Sequence, residues 1–158
     1  MKFTSPTLGE LTFEETYRQI ASFFDEYPEE KHKLIIGTDS QPRGQKDICF
    51  VTAIIIHRVG KGARYFFRRT YQRHMPNLRQ RIYYETYLSL EVATLITARL
   101  AERQDSAVNV EIHLDVGVNG ETKELIREVV GMVIGSGFQA MIKPDSYGAT
   151  KVADKYTK

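Results

Sequence analysis

The sequence has little of several features that mark other classes of protein. Its 158 residues contain one cysteine, Cys49, and no tryptophan, so neither an intrachain disulfide nor an all-cysteine zinc site can form. The longest apolar runs are short, such as Ile54-Ile55-Ile56, far below the ~20 residues that a membrane helix needs. The first six residues lack the apolar core of a signal peptide. We therefore expect a cytoplasmic protein of one domain, with no membrane partner.

Acidic residues are also absent from one long stretch. Between Ile48 and Tyr84 there is no Asp or Glu, whereas the same window holds eight Lys or Arg residues. The whole chain carries a net charge of +2, so the remaining residues sum to −6. A basic block on an otherwise acidic chain predicts local contact with a polyanion.

Aromatic residues alternate with the basic ones inside this block. The mixture suits binding of nucleic acid, RNA or DNA, through phosphate contacts and base stacking. The candidate contacts are Arg64, Arg68, Arg69 and Arg73. The alternative is an edge strand that charge protects from aggregation, with its aromatic residues in the core.

The order of predicted elements indicates a mixed α/β sheet. Apolar spacing predicts a helix over Phe13–Glu26, capped by Thr12 with Glu15 three residues later. The remaining predicted segments are strands 33–39, 48–57 and 63–71, helix 78–104, strand 108–116, helix 121–134, strand 138–143 and helix 148–156. This β-β-β-α-β-α-β-α order predicts an antiparallel meander followed by parallel crossovers. Residues 1–32 are expected to form an N-terminal helical extension to a domain over 33–158.

Two aspartates end predicted strands. Asp39 follows the apolar run 34–38 and Asp115 follows the run 110–114, and each precedes a glycine-containing turn. If these strands are neighbours, both carboxylates lie at the edge of the sheet where open α/β folds bind ligands. Clustered carboxylates repel unless a cation lies between them, and such hard oxygen ligands suit Mg²⁺. The alternative for each acid alone is ordinary turn chemistry.

Further acids lie on the predicted helices. Glu85 and Glu91 both adjoin the apolar stripe of the long helix, where a buried Glu is costly unless it is paired or metal-bound. Glu85 could instead pair with Arg81, four residues earlier. Asp154 on the last helix is the candidate fourth acid, and Asp145 after the last strand is its rival.

Several motifs occur together along residues 33–158. They are Ile36-Gly-Thr-Asp-Ser-Gln41, Tyr84-Glu-Thr86 with Ser89-Leu-Glu91, Asp115-Val-Gly117, and Lys143-Pro-Asp-Ser-Tyr147 with Val152-Ala-Asp154. The combination resembles a small bacterial family, the YkuK-like proteins of ribonuclease H-like fold. The resemblance implies that fold and a nuclease site in which two Mg²⁺ or Mn²⁺ ions assist phosphodiester hydrolysis. It further implies that Asp39 is shared by both ions, with Glu85 and Asp115 on one ion and Asp154 on the other. Glu85 is preferred to Glu91 because it lies nearer the helix start, as the superfamily's helical Glu does.

Two other functions stay open. The fold could serve as a nucleic-acid-binding or assembly module without turnover. Residues 115–123, Asp-Val-Gly-Val-Asn-Gly-Glu-Thr-Lys, resemble the phosphate loop of sugar kinases, which suggests a nucleotide-phosphate-binding domain. Clustering of the four acids would favour the nuclease, whereas acids locked in salt bridges would favour the binding module.

Overall fold

The computed structural model describes residues 1–73, 75, 77–103, 108–117, 123–146 and 148–157. The elements within these residues are, in chain order, β1 (Lys2–Ser5), β2 (Gly9–Thr12), α1 (Phe13–Glu26), β3 (His32–Arg43), β4 (Asp47–Arg58), β5 (Ala63–Arg73), α2 (Leu78–Glu102), β6 (Asn109–His113), α3 (Lys123–Gly135), β7 (Gln139–Met141) and α4 (Gly148–Thr157). The strands form one sheet in the order β2-β1-β5-β4-β3-β6-β7. β3, β4 and β5 pair antiparallel, whereas β6 is parallel to both β3 and β7. The predicted meander and parallel crossovers are both present.

The first 32 residues contain a β-hairpin in addition to the predicted helix. β1 pairs with β2 along four residues and meets β5 at Thr4 and Phe67. The side chain of Phe3 is buried in the main core. α1 begins after the predicted capping box, in which the side chains of Thr12 and Glu15 each accept a backbone N–H of the other residue. This segment therefore extends the same sheet as well as contributing a helix.

The two faces of the sheet carry different helices. Even-numbered residues of β3 and β4 face α1 and α2; for example, the hydroxyl groups of Thr38 and Ser89 are 2.7 Å apart. Odd-numbered residues face α4, and a Cβ atom on Gly37 would lie only 2.8 Å from the Cβ of Ala149. The small side chains at this contact let α4 lie directly against β3. Asp39 is an odd-numbered residue, so it points toward α4.

Two arginines hold the C-terminal end of α4. Arg43 Nη2 donates a hydrogen bond to the backbone oxygen of Thr157 at 2.6 Å, and Arg69 Nε donates to that of Tyr156 at 3.0 Å. The last carbonyl groups of a helix lack intrahelical partners, and cations are favourable at this end of the helix dipole. The two bonds therefore fix α4, and with it Asp154, against the strands of the meander. None of the described helices is both long enough and apolar enough to span a membrane.

Candidate metal site and nucleic-acid interface

The parallel pair β3 and β6 brings two of the predicted acids to one edge of the sheet. Gly37 lies opposite His113 in the register, and Asp39 and Asp115 each follow two residues later. The carboxyl group of Asp39 is in hydrogen-bond contact with those of Asp115 and, from α4, Asp154. All three line a cleft of about 550 Å³. Three of the four predicted acids therefore converge.

The fourth acid, Glu85 of α2, is buried near the aspartates but is not among the residues that line the cleft. The Ser40 hydroxyl donates a hydrogen bond to Glu85 Oε2 at 2.5 Å. Arg81 in turn donates to the backbone and side-chain oxygens of Ser40 at 3.0 and 3.1 Å. Burial raises the pKa of Glu85 to about 8, although the hydrogen bond from Ser40 acts to lower it. The negative charges of Asp39 and Asp115 add to the rise. Glu85 is thus held within the electrostatic field of the aspartates.

The environment of Asp39 is unfavourable to a negative charge. Burial raises the pKa of Asp39 to about 7, and the neighbouring Asp115 charge adds to this, while the backbone N–H of Ser40 opposes it. Carboxyl groups in contact repel one another when they are ionised, and a divalent cation between them would relieve that repulsion. A donor set of carboxylate oxygens fits Mg²⁺ or Mn²⁺. Among the described residues, no three or more His, Cys, Asp or Glu side chains form a ready-made metal-binding group, so the metal site stays a prediction.

Two lysines line the cleft beside the aspartates. Lys143 Nζ lies 2.8 Å from Asp115 Oδ1, and Lys151 of α4 lines the cleft together with Ser146. Neither lysine was predicted from the sequence to be a site residue. Only their positions in the chain could have indicated it: Lys143 follows the last strand, and Lys151 precedes Asp154 by less than a helical turn. The cleft therefore combines carboxylates with ammonium groups that can neutralise a phosphate.

The two rival acids have other surroundings. The carboxylate of Glu91 lies 3.5 Å from Arg68 Nη1 and accepts a hydrogen bond from the Tyr87 hydroxyl at 3.1 Å. Asp145 is exposed, and it is Asp154 that lines the cleft. The structure therefore brings Asp154 to the cleft, and it buries Glu85 near the aspartates without making it part of the cleft lining.

The four arginines predicted to contact nucleic acid each have a partner within the chain. The pairs are Arg64 with Glu26 at 3.6 Å, Arg68 with Glu91 at 3.5 Å, Arg69 with the backbone oxygen of Tyr156 at 3.0 Å, and Arg73 with Asp47 at 3.9 Å. Arg64 and Arg68 lie on the face of α1 and α2, whereas Arg69 and Arg73 lie on the face of α4. One bound strand cannot contact both faces at once. Phosphate contact by these arginines stays a prediction; the side chain of Arg73 is 88% exposed.

The alternative phosphate loop, residues 115–123, lies largely outside the described residues, which omit 118–122. Its two ends are described: Asp115 lines the cleft, and Lys123 is the first residue of α3. A phosphate site in this loop stays a prediction.

Comparison with known proteins gives the family. The model of a family described as Ribonuclease H-like matches residues 15–158. The chain is also 35% identical over 162 residues to the "Uncharacterized protein YkuK" of Bacillus subtilis (strain 168), and the alignment covers 95% of this chain and 93% of that protein. No solved structure matches the chain. The mixed sheet and these two matches confirm the predicted fold and the predicted YkuK-like relationship, and the chain belongs to the ribonuclease H-like family.

Proposed function

We propose that the protein is a metal-dependent nuclease that hydrolyses phosphodiester bonds of RNA or DNA in the cleft between β3, β6 and α4. The observation that carries this proposal is the contact of the Asp39 carboxyl group with Asp115 and Asp154. Buried carboxylates in structural positions normally have cationic or hydrogen-bond-donating partners. Asp39 instead contacts two further aspartates, and carboxylates crowded in this way are typical of a cation site.

Asp39, Glu85, Asp115 and Asp154 are the residues that would hold Mg²⁺ or Mn²⁺. Such ions, when bound, stabilise the charge on the phosphate and lower the pKa of water. The chain's own groups orient the reactants. Arg81 holds Ser40, which holds the Glu85 carboxylate in place.

The cleft lysines act on the substrate in this proposal. Lys143 lies beside Asp115 with its side chain 55% exposed, so its ammonium group can turn to a phosphate oxygen. Lys151 lines the same cleft from α4. Both ammonium groups would neutralise the phosphates that flank the bond to be cleaved.

A cleavage assay tests the proposal. End-labelled single-stranded and duplex RNA, DNA and hybrid oligonucleotides are incubated with EDTA-treated protein, with and without millimolar Mn²⁺ or Mg²⁺. We expect cleavage by the wild type with metal and none with EDTA. Asp39→Asn should abolish cleavage, whereas Glu91→Gln, which changes an acid of α2 outside the cleft, should retain it.

Two results would contradict the proposal. Binding of oligonucleotides without cleavage under every metal condition would favour the non-catalytic binding module. Equal loss of cleavage in Glu91→Gln and Asp39→Asn would show that the reaction does not depend on the cleft.

A further inference from the structure

Both the backbone and the side chain of Lys143 are held beside Asp115. The backbone N–H of Lys143 donates to the carbonyl oxygen of Val116 at 2.9 Å, and Lys143 Nζ lies 2.8 Å from Asp115 Oδ1. Between these contacts the side chain lies along Gly117, because a Cβ atom on Gly117 would be 3.2 Å from Lys143 Cβ and 3.5 Å from Lys143 Cδ. The glycine leaves room for the lysine side chain, so the ammonium group has a defined place at this aspartate.

The surroundings of this pair differ from those of an ordinary surface ion pair. Lys2 Nζ lies 3.0 Å from Glu10 Oε1, and both side chains are exposed. Asp115, in contrast, is only 28% exposed, and it contacts the buried carboxyl group of Asp39. Charges interact more strongly as they leave bulk water. The ammonium group of Lys143 therefore acts on the carboxyl cluster of the cleft.

The charged groups of the cleft balance best with one divalent ion. Among the described residues, three aspartates and two lysines line the cleft, which leaves one negative charge in excess when all are ionised. Glu85 and Arg81 both bond to Ser40, and their charges cancel. One divalent ion together with one phosphodiester group, which carries a single negative charge, would make the site neutral. A second divalent ion would leave two positive charges without a partner.

Lys143 also restricts where an ion can bind. An ion on Asp115 Oδ1 would be next to the ammonium group, because both would contact the same oxygen, and the two positive charges would repel. The contact between Asp39 and Asp154 offers a pair of carboxylates that does not include Asp115. Such a pair is enough for one ion, since Mg²⁺ is usually held by one or two carboxylates and keeps several waters.

We propose that Lys143 takes the place of one of the two metal ions, so that the cleft binds a single Mg²⁺ or Mn²⁺ ion at Asp39 and Asp154, beside the ammonium group at Asp115. This inference rests on the proposed function and deepens it, because it sets the number of ions and gives Lys143 a role toward them. It departs from the family resemblance, which implies two ions. The Lys143 side chain is 55% exposed, so its ammonium group can also donate to a phosphate oxygen of the substrate.

Counting the bound Mn²⁺ ions tests this inference without any substrate. Metal-free protein is titrated with Mn²⁺, and the free ion is measured by its electron paramagnetic resonance signal. We expect one ion per chain for the wild type and two for Lys143→Met, which removes the ammonium group but keeps an unbranched side chain. The second ion should bind more weakly than the first, because the first already neutralises part of the cluster. Lys143→Arg keeps the positive charge and should bind one ion.

The dependence of stability on Mn²⁺ concentration gives a second count. Above the dissociation constants, the free energy of unfolding rises with the logarithm of the Mn²⁺ concentration, and the slope is proportional to the number of bound ions. Urea denaturation should give a slope about twice as steep for Lys143→Met as for the wild type. Lys2→Met is the matched control, since it removes a lysine that pairs with Glu10 outside the cleft, and it should keep the wild-type slope. Asp39→Asn should lose the ion.

Three outcomes would overturn the inference alone and leave the proposed nuclease in place. They are two bound ions in the wild type, a single ion in both the wild type and Lys143→Met, and a second ion in Lys2→Met as well, which would attribute the gain to net charge. Absence of Mn²⁺ binding from the wild type and from every variant would instead contradict the proposed function, and the inference with it.

Discussion

Two groups of buried acids lie on the same face of β3 and β6, and their partners are opposite in charge. Glu111 is 6% exposed and lies 3.2 Å from Lys33 Nζ and 3.1 Å from His113 Nε2. Asp39 is 8% exposed, yet its carboxyl group contacts Asp115 and a second aspartate from α4. Glu111 and Asp39 are buried to a similar extent, so burial alone does not distinguish them.

The pKa values separate the two groups. Burial acts to raise the pKa of Glu111, but the hydrogen bonds from His113 and Lys33 outweigh it and hold that pKa below its ordinary value. Burial and Asp115 raise the pKa of Asp39 to about 7. Glu111 contacts a lysine and a histidine directly, whereas Asp39 contacts two further aspartates, of which Asp115 pairs with Lys143. The comparison indicates that the contact of several acids with one another, rather than the burial of one acid, marks the candidate site.

The largest expected effect is that of Asp39→Asn on the response to metal. The wild type should show a higher Tm with millimolar Mn²⁺, because a ligand stabilises the state that binds it. The variant should lose this rise, and cleavage should fall by at least about 100-fold, since metal ions contribute several kcal/mol to such transition states. Thermal melts with and without Mn²⁺ measure the Tm rise, and the cleavage assay measures the rate. An unchanged Mn²⁺ shift in the variant would mean that Asp39 is not a ligand.

Glu111→Gln should lower the stability of the protein and leave its response to metal unchanged, in contrast to Asp39→Asn. Its loss leaves the buried His113 without its charged acceptor, and we expect the free energy of unfolding to fall by about 1–3 kcal/mol. The Tm rise with Mn²⁺ should remain. Urea denaturation measures the free energy of unfolding, and thermal melts with Mn²⁺ measure the Tm rise. If Glu111→Gln abolished the metal response, the two groups of acids would act as one site.

The pH dependence of stability should separate the groups as well. The folded-state pKa of Asp39 lies above its ordinary value of 3.8, so its contribution to stability is full below about pH 4 and is lost as the pH rises through about 7. In EDTA, the free energy of unfolding of Asp39→Asn should therefore increase relative to that of the wild type as the pH rises from about 4 to about 7. Glu111 has a lowered pKa, so its contribution is present above its ordinary pKa and is lost as the pH falls. Urea denaturation across this range measures the slopes; equal slopes in the wild type and Asp39→Asn would contradict the prediction.

The smallest expected effect concerns the lysine of the cleft. Lys143→Met removes an ammonium group 2.8 Å from Asp115 Oδ1, which competes with a metal ion for that oxygen. Because an exposed ion pair is worth at most about 1 kcal/mol, Mn²⁺ affinity should rise no more than roughly fivefold, while cleavage should weaken. Calorimetric titration with Mn²⁺ measures the affinity. Lys2→Met is the control, since it removes a pair of similar length with Glu10, at 3.0 Å and more exposed. Equal tightening in that variant would reflect net charge alone.

Most of the fold could be predicted because its signals are local. The capping box at Thr12 and Glu15 predicted the start of α1, and β-branched runs with glycine turns predicted the meander. The hairpin of β1 and β2 was missed because each strand has four residues, too few for a clear alternation. Its burial of Phe3 depends on packing against β5, which is distant in the sequence.

The candidate site could be predicted in part. Asp39 and Asp115 were predicted together because acids at the ends of parallel strands meet at one edge. The surroundings of Glu85 and Glu91 were not predictable, since both adjoin the apolar stripe of α2. They are set by Ser40 from β3 and by Arg68 from β5, and these contacts between distant elements leave no local pattern in the sequence.

The parallel pairing of β3 with β6 also bears on how the site forms in time. It joins Lys33 to Asn109, roughly 75 residues apart, and closing so long a loop is entropically costly and slow. Asp39 and Asp115 therefore come together only once this pairing has formed. A cation that binds the completed cluster stabilises the native state more than the folding transition state, so it should slow unfolding rather than speed folding. An ion bound for the proposed reaction would then also prolong the lifetime of the folded chain.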